Sequence, residues 1–114
     1  MTLGPWAYQG CWTDNADSSR TLNGNSTHNS GMTNELCAGY CNGWTYFGTE
    51  QREFPWLSTL LKLLTNYGIE SQCFCGNTID NGAVLSLNQS SCDLKCLGDT
   101  TICGGDYHLS LWRV

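Results

Sequence analysis

Eight cysteines in 114 residues constrain this chain more than any other feature of its sequence. An even count at this density is typical of a small domain that is held together by disulfides. A zinc site is the alternative, but the spacing of a CxC pair suits two ligands of a tetrahedral zinc ion poorly. His28 and His108 also lie far from any cysteine pair in the sequence. We therefore expect disulfides, and neither a bound metal nor a cofactor. The cysteines are Cys11, Cys37, Cys41, Cys73, Cys75, Cys92, Cys96 and Cys103.

The length and charge of the chain limit both its fold and its partners. We expect one domain over residues 1–114, with its core from 7 to 114, too small to be stable on apolar packing alone. Disulfides worth about 2–4 kcal/mol each would supply much of the missing stability. Ten acidic and five basic residues give a net charge of −5, and the Lys and Arg residues do not cluster. A nucleic acid partner is therefore not expected.

Only 13% of the residues are charged, yet the chain has five Trp and five Tyr. A surface rich in Asn, Ser, Thr, Gly and aromatic rings suits an uncharged, hydroxyl-rich ligand. The alternative is that most of these rings belong to the core, because aromatic side chains dominate small cores.

We expect no secretory signal at the start of this sequence, because Met1–Pro5 has no basic start and no apolar stretch. A disulfide framework without a signal predicts an excised domain of a larger protein that is secreted or held at the cell surface or cell wall. Two sequons, at Asn25 and Asn88, agree with secretion and are candidate glycosylation sites.

Local patterns predict a helix between strands. Residues 7–14 are expected to form a strand that runs into a turn, and 15–31 a surface loop anchored by Leu22. Thr33 is expected to cap a short helix, with Glu35 in its first turn and with Cys37 and Cys41 on one helix face.

The second half of the chain adds further strands. Residues 44–48 and 73–77 are expected to be strands, and alternation places Cys73 and Cys75 on one face. The two strand cysteines can then meet the two helix cysteines. Residues 92–96 are expected to form a turn or short helix, and 107–112 the closing strand.

These pieces together resemble a WSC domain. The matching motifs are Tyr8–Asp14, Arg20–Gly24, Met32–Cys41, Tyr46–Gly48, Gln72–Asn77, Cys92–Gly98 and Cys103–Leu111. The resemblance implies a small α+β fold similar to PAN/apple modules, with a short helix packed on a curved antiparallel sheet. It also implies the disulfides Cys11–Cys92, Cys37–Cys73, Cys41–Cys75 and Cys96–Cys103.

The same resemblance implies non-catalytic binding of a fungal or plant cell-wall polysaccharide, such as β-1,3-glucan or xylan. Aromatic rings would cover the C–H faces of the sugars, and polar side chains would bond to their hydroxyls. Trp44 and Tyr46 share one face of a predicted strand, so they should be exposed or buried together. In the alternative interpretation, three of the polar candidates are turn residues: Asp14, Asp106 and Asn77. The candidates are Trp12, Trp44, Tyr46, Tyr107, Asp14, Asn42, Asn77 and Asp106.

Two other function classes remain as alternatives. An enzyme is disfavoured, because the chain has no GxSxG motif, no metal-spaced histidines and no phosphate loop. An extracellular protein-interaction module of a receptor or sensor is the second alternative, and a polysaccharide pull-down distinguishes it from a glycan binder.

One segment, 53–70, interrupts the motifs and has two interpretations. Pro55 suits a first helical position, and Leu57, Leu60, Leu61 and Leu64 fall on one face of an amphipathic helix that could serve as a lid or in self-association. Alternatively, the segment is a translated, unspliced intron, because codons for residues 52–54 can contain the donor sequence GTGAGT and those for 69–70 a terminal AG. The gene sequence distinguishes these interpretations.

Overall fold

The computed structural model describes residues 2–14, 20–53 and 69–114. In chain order the elements are β1 (Thr2–Leu3), β2 (Trp6–Thr13), β3 (Ser26–His28), α1 (Asn34–Tyr40), β4 (Tyr46–Glu53), β5 (Ile69–Gly76), a 3₁₀ turn (Gln89–Ser91) and β6 (His108–Arg113). The strands form one antiparallel sheet in the order β1-β2-β6-β4-β5-β3. The predicted class, a small disulfide-rich α+β domain with a short helix on an antiparallel sheet, is confirmed.

The two strands β4 and β5 pair along their whole length. Their register runs from Tyr46 opposite Gly76 to Glu53 opposite Ile69. The segment predicted as an insertion, 53–70, therefore begins and ends inside this strand pair. The predicted amphipathic helix and its four leucines lie outside the described residues.

Alternation along the strands gives the sheet two apolar faces. On the helix side, Phe47 and Trp112 stack with 5.6 Å between ring centroids and pack with the helix cysteines and Trp6. On the opposite side, Phe74, Leu109 and Leu111 form a second cluster with Leu22, which comes from the loop before β3. We call these the helix-side core and the loop-side core.

The helix forms where its sequence predicts. The Thr33 hydroxyl accepts a hydrogen bond of 3.0 Å from the Leu36 amide, which confirms the predicted cap, and Glu35 lies in the first turn. Cys41 is the C-cap, and Gly43 follows with a φ of 95°, a left-handed conformation that glycine adopts without strain. The helix thus turns both of its cysteines toward the sheet.

Four disulfides join the elements, and they are the pairs that the resemblance implies: Cys11–Cys92, Cys37–Cys73, Cys41–Cys75 and Cys96–Cys103. Two of them connect α1 to β5 side by side, with 3.7 Å between the sulfurs of Cys41 and Cys73. The helix is therefore held on the sheet by two neighbouring covalent bonds.

Outside β4 and β5, three local predictions differ from the structure. Part of the predicted surface loop forms β3, which pairs with β5. Residues 92–96 are not helical, and Lys95 instead forms a bridge with Ile102. Tyr107 is not in the closing strand: its φ of 56° places it in a tight turn, closed by two 3.1 Å backbone hydrogen bonds between Gly105 and His108.

A buried charged cluster lies on the loop side of the sheet. Arg20 contacts the Asp14 carboxylate at 2.8 Å and the Glu50 carboxylate at 3.5 Å, and its guanidinium lies 4.8 Å from the centroid of Phe74. Asp14 is 3% exposed and Glu50 is fully buried. Asp14 also accepts a 2.8 Å hydrogen bond from the Thr21 amide. The predicted loop is thus tied to the sheet by charge as well as by Leu22.

Removing both helix disulfides should cost about 1 kcal/mol more than the sum of the two single removals. Cys37 and Cys41 are four residues apart and Cys73 and Cys75 two apart, so either bond alone still closes the loop of about 35 residues in the unfolded chain. By loop entropy, Cys37→Ala/Cys73→Ala should cost about 2.5 kcal/mol, and removal of both bonds about 6 kcal/mol. Urea unfolding measures both values.

The matched control for this prediction is the short disulfide Cys96–Cys103, whose partners are seven residues apart. Its removal should cost about as much as removal of one helix disulfide, about 2.5 kcal/mol. If each single helix disulfide instead costs about 4 kcal/mol, as an isolated 35-residue loop would, the two bonds do not act as one cross-link.

The charged cluster predicts a loss of stability in acid. Burial raises the pKa of Asp14. Hydrogen bonds with Glu50, the Thr21 amide and Arg20, together with the positive charge of Arg20, lower the pKa by more than burial raises it, so that it lies below the usual 3.8. A lowered pKa in the folded state stabilises the fold above about pH 4, and this contribution is lost as the pH falls through the folded pKa.

Asp14→Asn should therefore reduce the free energy of unfolding by about 3 kcal/mol at neutral pH. On acidification the variant should then lose less unfolding free energy than the wild type does. Urea unfolding across the acid range measures this, with the exposed Asp93→Asn as the control variant. An Asp14→Asn variant with the wild-type pH dependence would show that Asp14 does not carry the linkage.

Candidate functional site

The eight predicted binding residues separate into two groups at opposite ends of β6. Tyr46 lies opposite Arg113, at the end of β6, whereas Trp12 lies opposite Leu109, near its beginning. The first group, which we call the sheet-end surface, consists of Asn42, Trp44, Tyr46 and Asn77. The second group consists of Trp12, Asp14, Asp106 and Tyr107.

The sheet-end surface is held in place by Thr45. Its amide and hydroxyl donate to the Asn77 Oδ1 atom at 3.0 and 3.1 Å, and its carbonyl accepts a 3.0 Å hydrogen bond from the Val114 amide. Asn77 therefore stabilises a turn, which was the alternative interpretation of this residue, and it is also exposed. Asn42 is also exposed, in the turn after α1.

The Trp44 and Tyr46 rings do not share a strand face, so that prediction is wrong. β4 begins at Tyr46, and Trp44 lies in the bend before it. Trp44 packs against the helix-side core and Tyr46 against the loop-side core, and both are half-buried. The Arg113 guanidinium lies 5.7 Å from the Tyr46 centroid, a neighbour that the motif analysis missed. The two rings therefore flank the sheet end from its two sides.

The second group is less uniform. Trp12 is half-buried against the loop-side core, and its indole N–H donates to the Gln9 carbonyl at 3.1 Å. Tyr107 is 49% exposed at the turn before β6, and Asp106 beside it is also exposed. Asp14 is buried in its ion pair with Arg20, so its carboxylate does not reach the surface. We therefore leave Asp14 out of the candidate site.

An exposed aliphatic strip beside Trp12 was also missed. Val84, Leu85 and Leu87 are all exposed, and Leu85 forms a bridge with Trp12. This segment covers the outer edge of β2, with a 2.9 Å hydrogen bond from the Thr13 amide to the Val84 carbonyl. Its residues lie far from β2 in sequence and carry no motif, so sequence reasoning had no means of placing them there.

Both sequon asparagines, Asn25 and Asn88, are exposed. Asn25 directly precedes β3, and Asn88 caps the 3₁₀ turn by accepting a 3.0 Å hydrogen bond from the Ser90 amide. Their glycosylation stays a prediction.

Two clusters of cysteine or carboxylate groups lie close together among the described residues, and both are buried. One is a group of potential metal ligands, the sulfurs of Cys37, Cys41 and Cys73, and all three are in disulfides rather than present as thiolates. The clustered carboxylates of Asp14 and Glu50 are buried beneath their own ion pairs, away from any substrate. Among the described helices, none is long and apolar enough to span a membrane.

Comparison with known proteins agrees with this framework. The family model of the WSC domain matches residues 8–56. A WSC domain-containing protein of Arthroderma benhamiae is 31% identical over 105 residues, which cover 92% of this chain and 12% of that protein. A second protein of the same description and organism is 30% identical over 110 residues, or 94% of this chain and 10% of its own length.

A third relative, described as a putative fungistatic metabolite of Chaetomium globosum, is 28% identical over 110 residues, which cover 93% of this chain and 41% of that protein. The chain thus spans about an eighth or less of the two Arthroderma proteins and less than half of the third. Motif order, the disulfide framework and these matches lead to one assignment: the chain belongs to the WSC domain family.

Proposed function

We propose that this domain binds a cell-wall polysaccharide of the β-1,3-glucan or xylan type through the sheet-end surface, without catalysis. WSC domains are in general carbohydrate-binding or sensor modules. Together with several disulfides, they are typical of extracellular or cell-surface proteins. The proposal places the domain at or near the wall, within a larger parent protein.

The observation that carries the proposal is the pair of half-buried rings at one end of the sheet. Trp44 and Tyr46 are each supported by a core on one side and partly open on the other. Rings fixed in this way lose little conformational entropy when a sugar packs against them. A long polymer allows shallow contacts to be repeated, so no deep pocket is needed.

The polar groups around these rings suit hydroxyls. Asn42 and Asn77 are exposed neutral amides. Asn42 can donate and accept hydrogen bonds, whereas Asn77, whose Oδ1 atom already accepts two from Thr45, offers its Nδ2 group as a donor. None of the four residues that define the sheet-end surface carries a carboxylate, and the Arg113 guanidinium lies beside Tyr46. Neutral amides beside aromatic rings support recognition of an uncharged sugar.

A protein-interaction module remains the second candidate, and one observation favours it. Val84, Leu85 and Leu87 form an exposed aliphatic strip, which lacks the polar groups that a sugar requires. A pull-down with insoluble polysaccharide separates the two functions, since a glycan binder sediments with its ligand and a protein-binding module stays in solution.

Trp44→Ala should weaken retention on insoluble β-1,3-glucan or xylan by about 1–2 kcal/mol, or roughly five- to thirtyfold, because an anchored ring is lost. The pull-down measures this, with circular dichroism to show that the variant is folded. Trp12→Ala is the matched control, because Trp12 is also half-buried but belongs to the second group. Loss of retention in Trp12→Ala, with Trp44→Ala unaffected, would move the site to the other end of β6.

Binding should change little with salt, because neutral sugars form no ion pair. Raising the ionic strength from about 0.01 to 1 M shortens the Debye length from about 30 to 3 Å, and we expect the dissociation constant to change less than about twofold. Pull-downs at the two salt concentrations test this. A clear weakening at high salt that disappears in Arg113→Gln would instead indicate an acidic polysaccharide bound to Arg113.

A further inference from the structure

A cleft lies on the helix side of the sheet, and its lining contains none of the eight predicted binding residues. Its volume is about 480 Å³, within the range of small-molecule sites. Its walls come from β1 and β2, the first turn of α1, and the segment around 99–102. The described lining residues that matter here are Leu3, Tyr8, Glu35, Asp99, Thr101 and Trp112.

One lining residue, Trp112, has an unsatisfied donor. It is 2% exposed, and its indole Nε1 atom has no hydrogen-bond partner among the described residues. The ring is held by Phe47 at 5.6 Å and by Tyr8 at 5.1 Å between centroids. A buried donor without a partner is unfavourable, and buried polar groups in native proteins nearly always have one. Because Trp112 is one of the residues that line the cleft, a ligand bound there is the candidate partner for this donor.

Two carboxylates are among the other polar groups of the cleft. Asp99 Oδ1 accepts from the Thr101 amide at 2.9 Å and from its hydroxyl at 2.7 Å, which fixes the carboxylate in place. Glu35 lies exposed in the first turn of α1. Because the described lining residues include no Lys or Arg, the cleft disfavours phosphate, sulfate and uronic acids.

We propose that this cleft binds one neutral sugar residue, at a chain end of the polysaccharide. The Trp112 N–H donates to a ring or hydroxyl oxygen, the half-buried Tyr8 ring covers a C–H face, and Glu35 and Asp99 accept sugar hydroxyls. The walls on several sides suit a chain end better than the middle of a polymer. The class of ligand rests on the proposed function, but the site is separate from the sheet-end surface.

The test uses the whole chain in its wild-type form. In an ¹H–¹⁵N spectrum the five tryptophans give five indole resonances, and Trp112→Phe identifies the one that belongs to Trp112. Laminaritriose and xylotriose are the probes, with glucuronic acid as the anionic control. We expect one of the trisaccharides to shift the Trp112 indole resonance in a saturable manner, and glucuronic acid to leave it in place.

Two variants then separate binding from folding. Trp112→Phe keeps an aromatic ring on Phe47 and removes the unpaired donor, so the fold should not lose the energy of a hydrogen bond, while trisaccharide affinity falls between about twofold and tenfold. Trp12→Phe is the matched control. Trp12 packs against the loop-side core, and its indole N–H already donates to the Gln9 carbonyl. It should leave trisaccharide affinity unchanged.

The outcomes distinguish this proposal from the proposed function. If the domain sediments with polysaccharide while neither trisaccharide moves the Trp112 resonance, the cleft proposal is wrong and the sheet-end surface stands. If the resonance moves but Trp44→Ala does not reduce sedimentation, the cleft stands and the sheet-end proposal is wrong. If the domain neither sediments nor shifts its Trp112 resonance, both are wrong.

Discussion

The pair of disulfides between α1 and β5 is the constraint on which the rest of this domain depends. A seven-residue helix has little stability of its own, because nucleation is costly and few hydrogen bonds repay it. Two covalent bonds to neighbouring positions of one strand fix both its distance from the sheet and its direction. The helix can then close one side of an apolar core that contains Phe47 and Trp112.

The opposite side of the sheet is closed by charge and by a loop rather than by a helix. Arg20 spans from Asp14 to Glu50 and lies over Phe74, so the segment that carries Leu22 is held against the sheet. With most of both faces covered, the two ends of the sheet remain as open surfaces, and the candidate binding groups lie there, at the two ends of β6. The cleft lies on the helix side, where β2, α1 and the 99–102 segment meet.

Much of the fold could be predicted from the sequence because its determinants are local. Cys73 and Cys75 are two apart and therefore share a strand face, and Thr33 precedes an amphipathic turn with Glu35 in place. The site was harder to predict. Trp44 and Tyr46 were assigned to one face on the assumption that both lie in β4, and the actual start of the strand at Tyr46 removes that relation.

The burial of Asp14 was also beyond the sequence, since it depends on Arg20 and on Glu50, a residue 30 positions further along the chain. Trp112 was counted only as the end of a strand, because its neighbours in the cleft come from several distant segments.

The order of the disulfides has a mechanical consequence. Ala7 and Tyr46 both lie opposite Arg113, so a pull on the two ends of the chain would peel β6 from β2 and from β4 one hydrogen bond at a time. The peeling reaches Cys11, and from there tension passes through the Cys11–Cys92 bond and then through Cys96–Cys103. Residues 12–91 stay outside this path, and with them the helix, β4 and β5. Stretching would thus lengthen the domain by a short, defined amount and leave the sheet-end tryptophan in a segment that bears no tension.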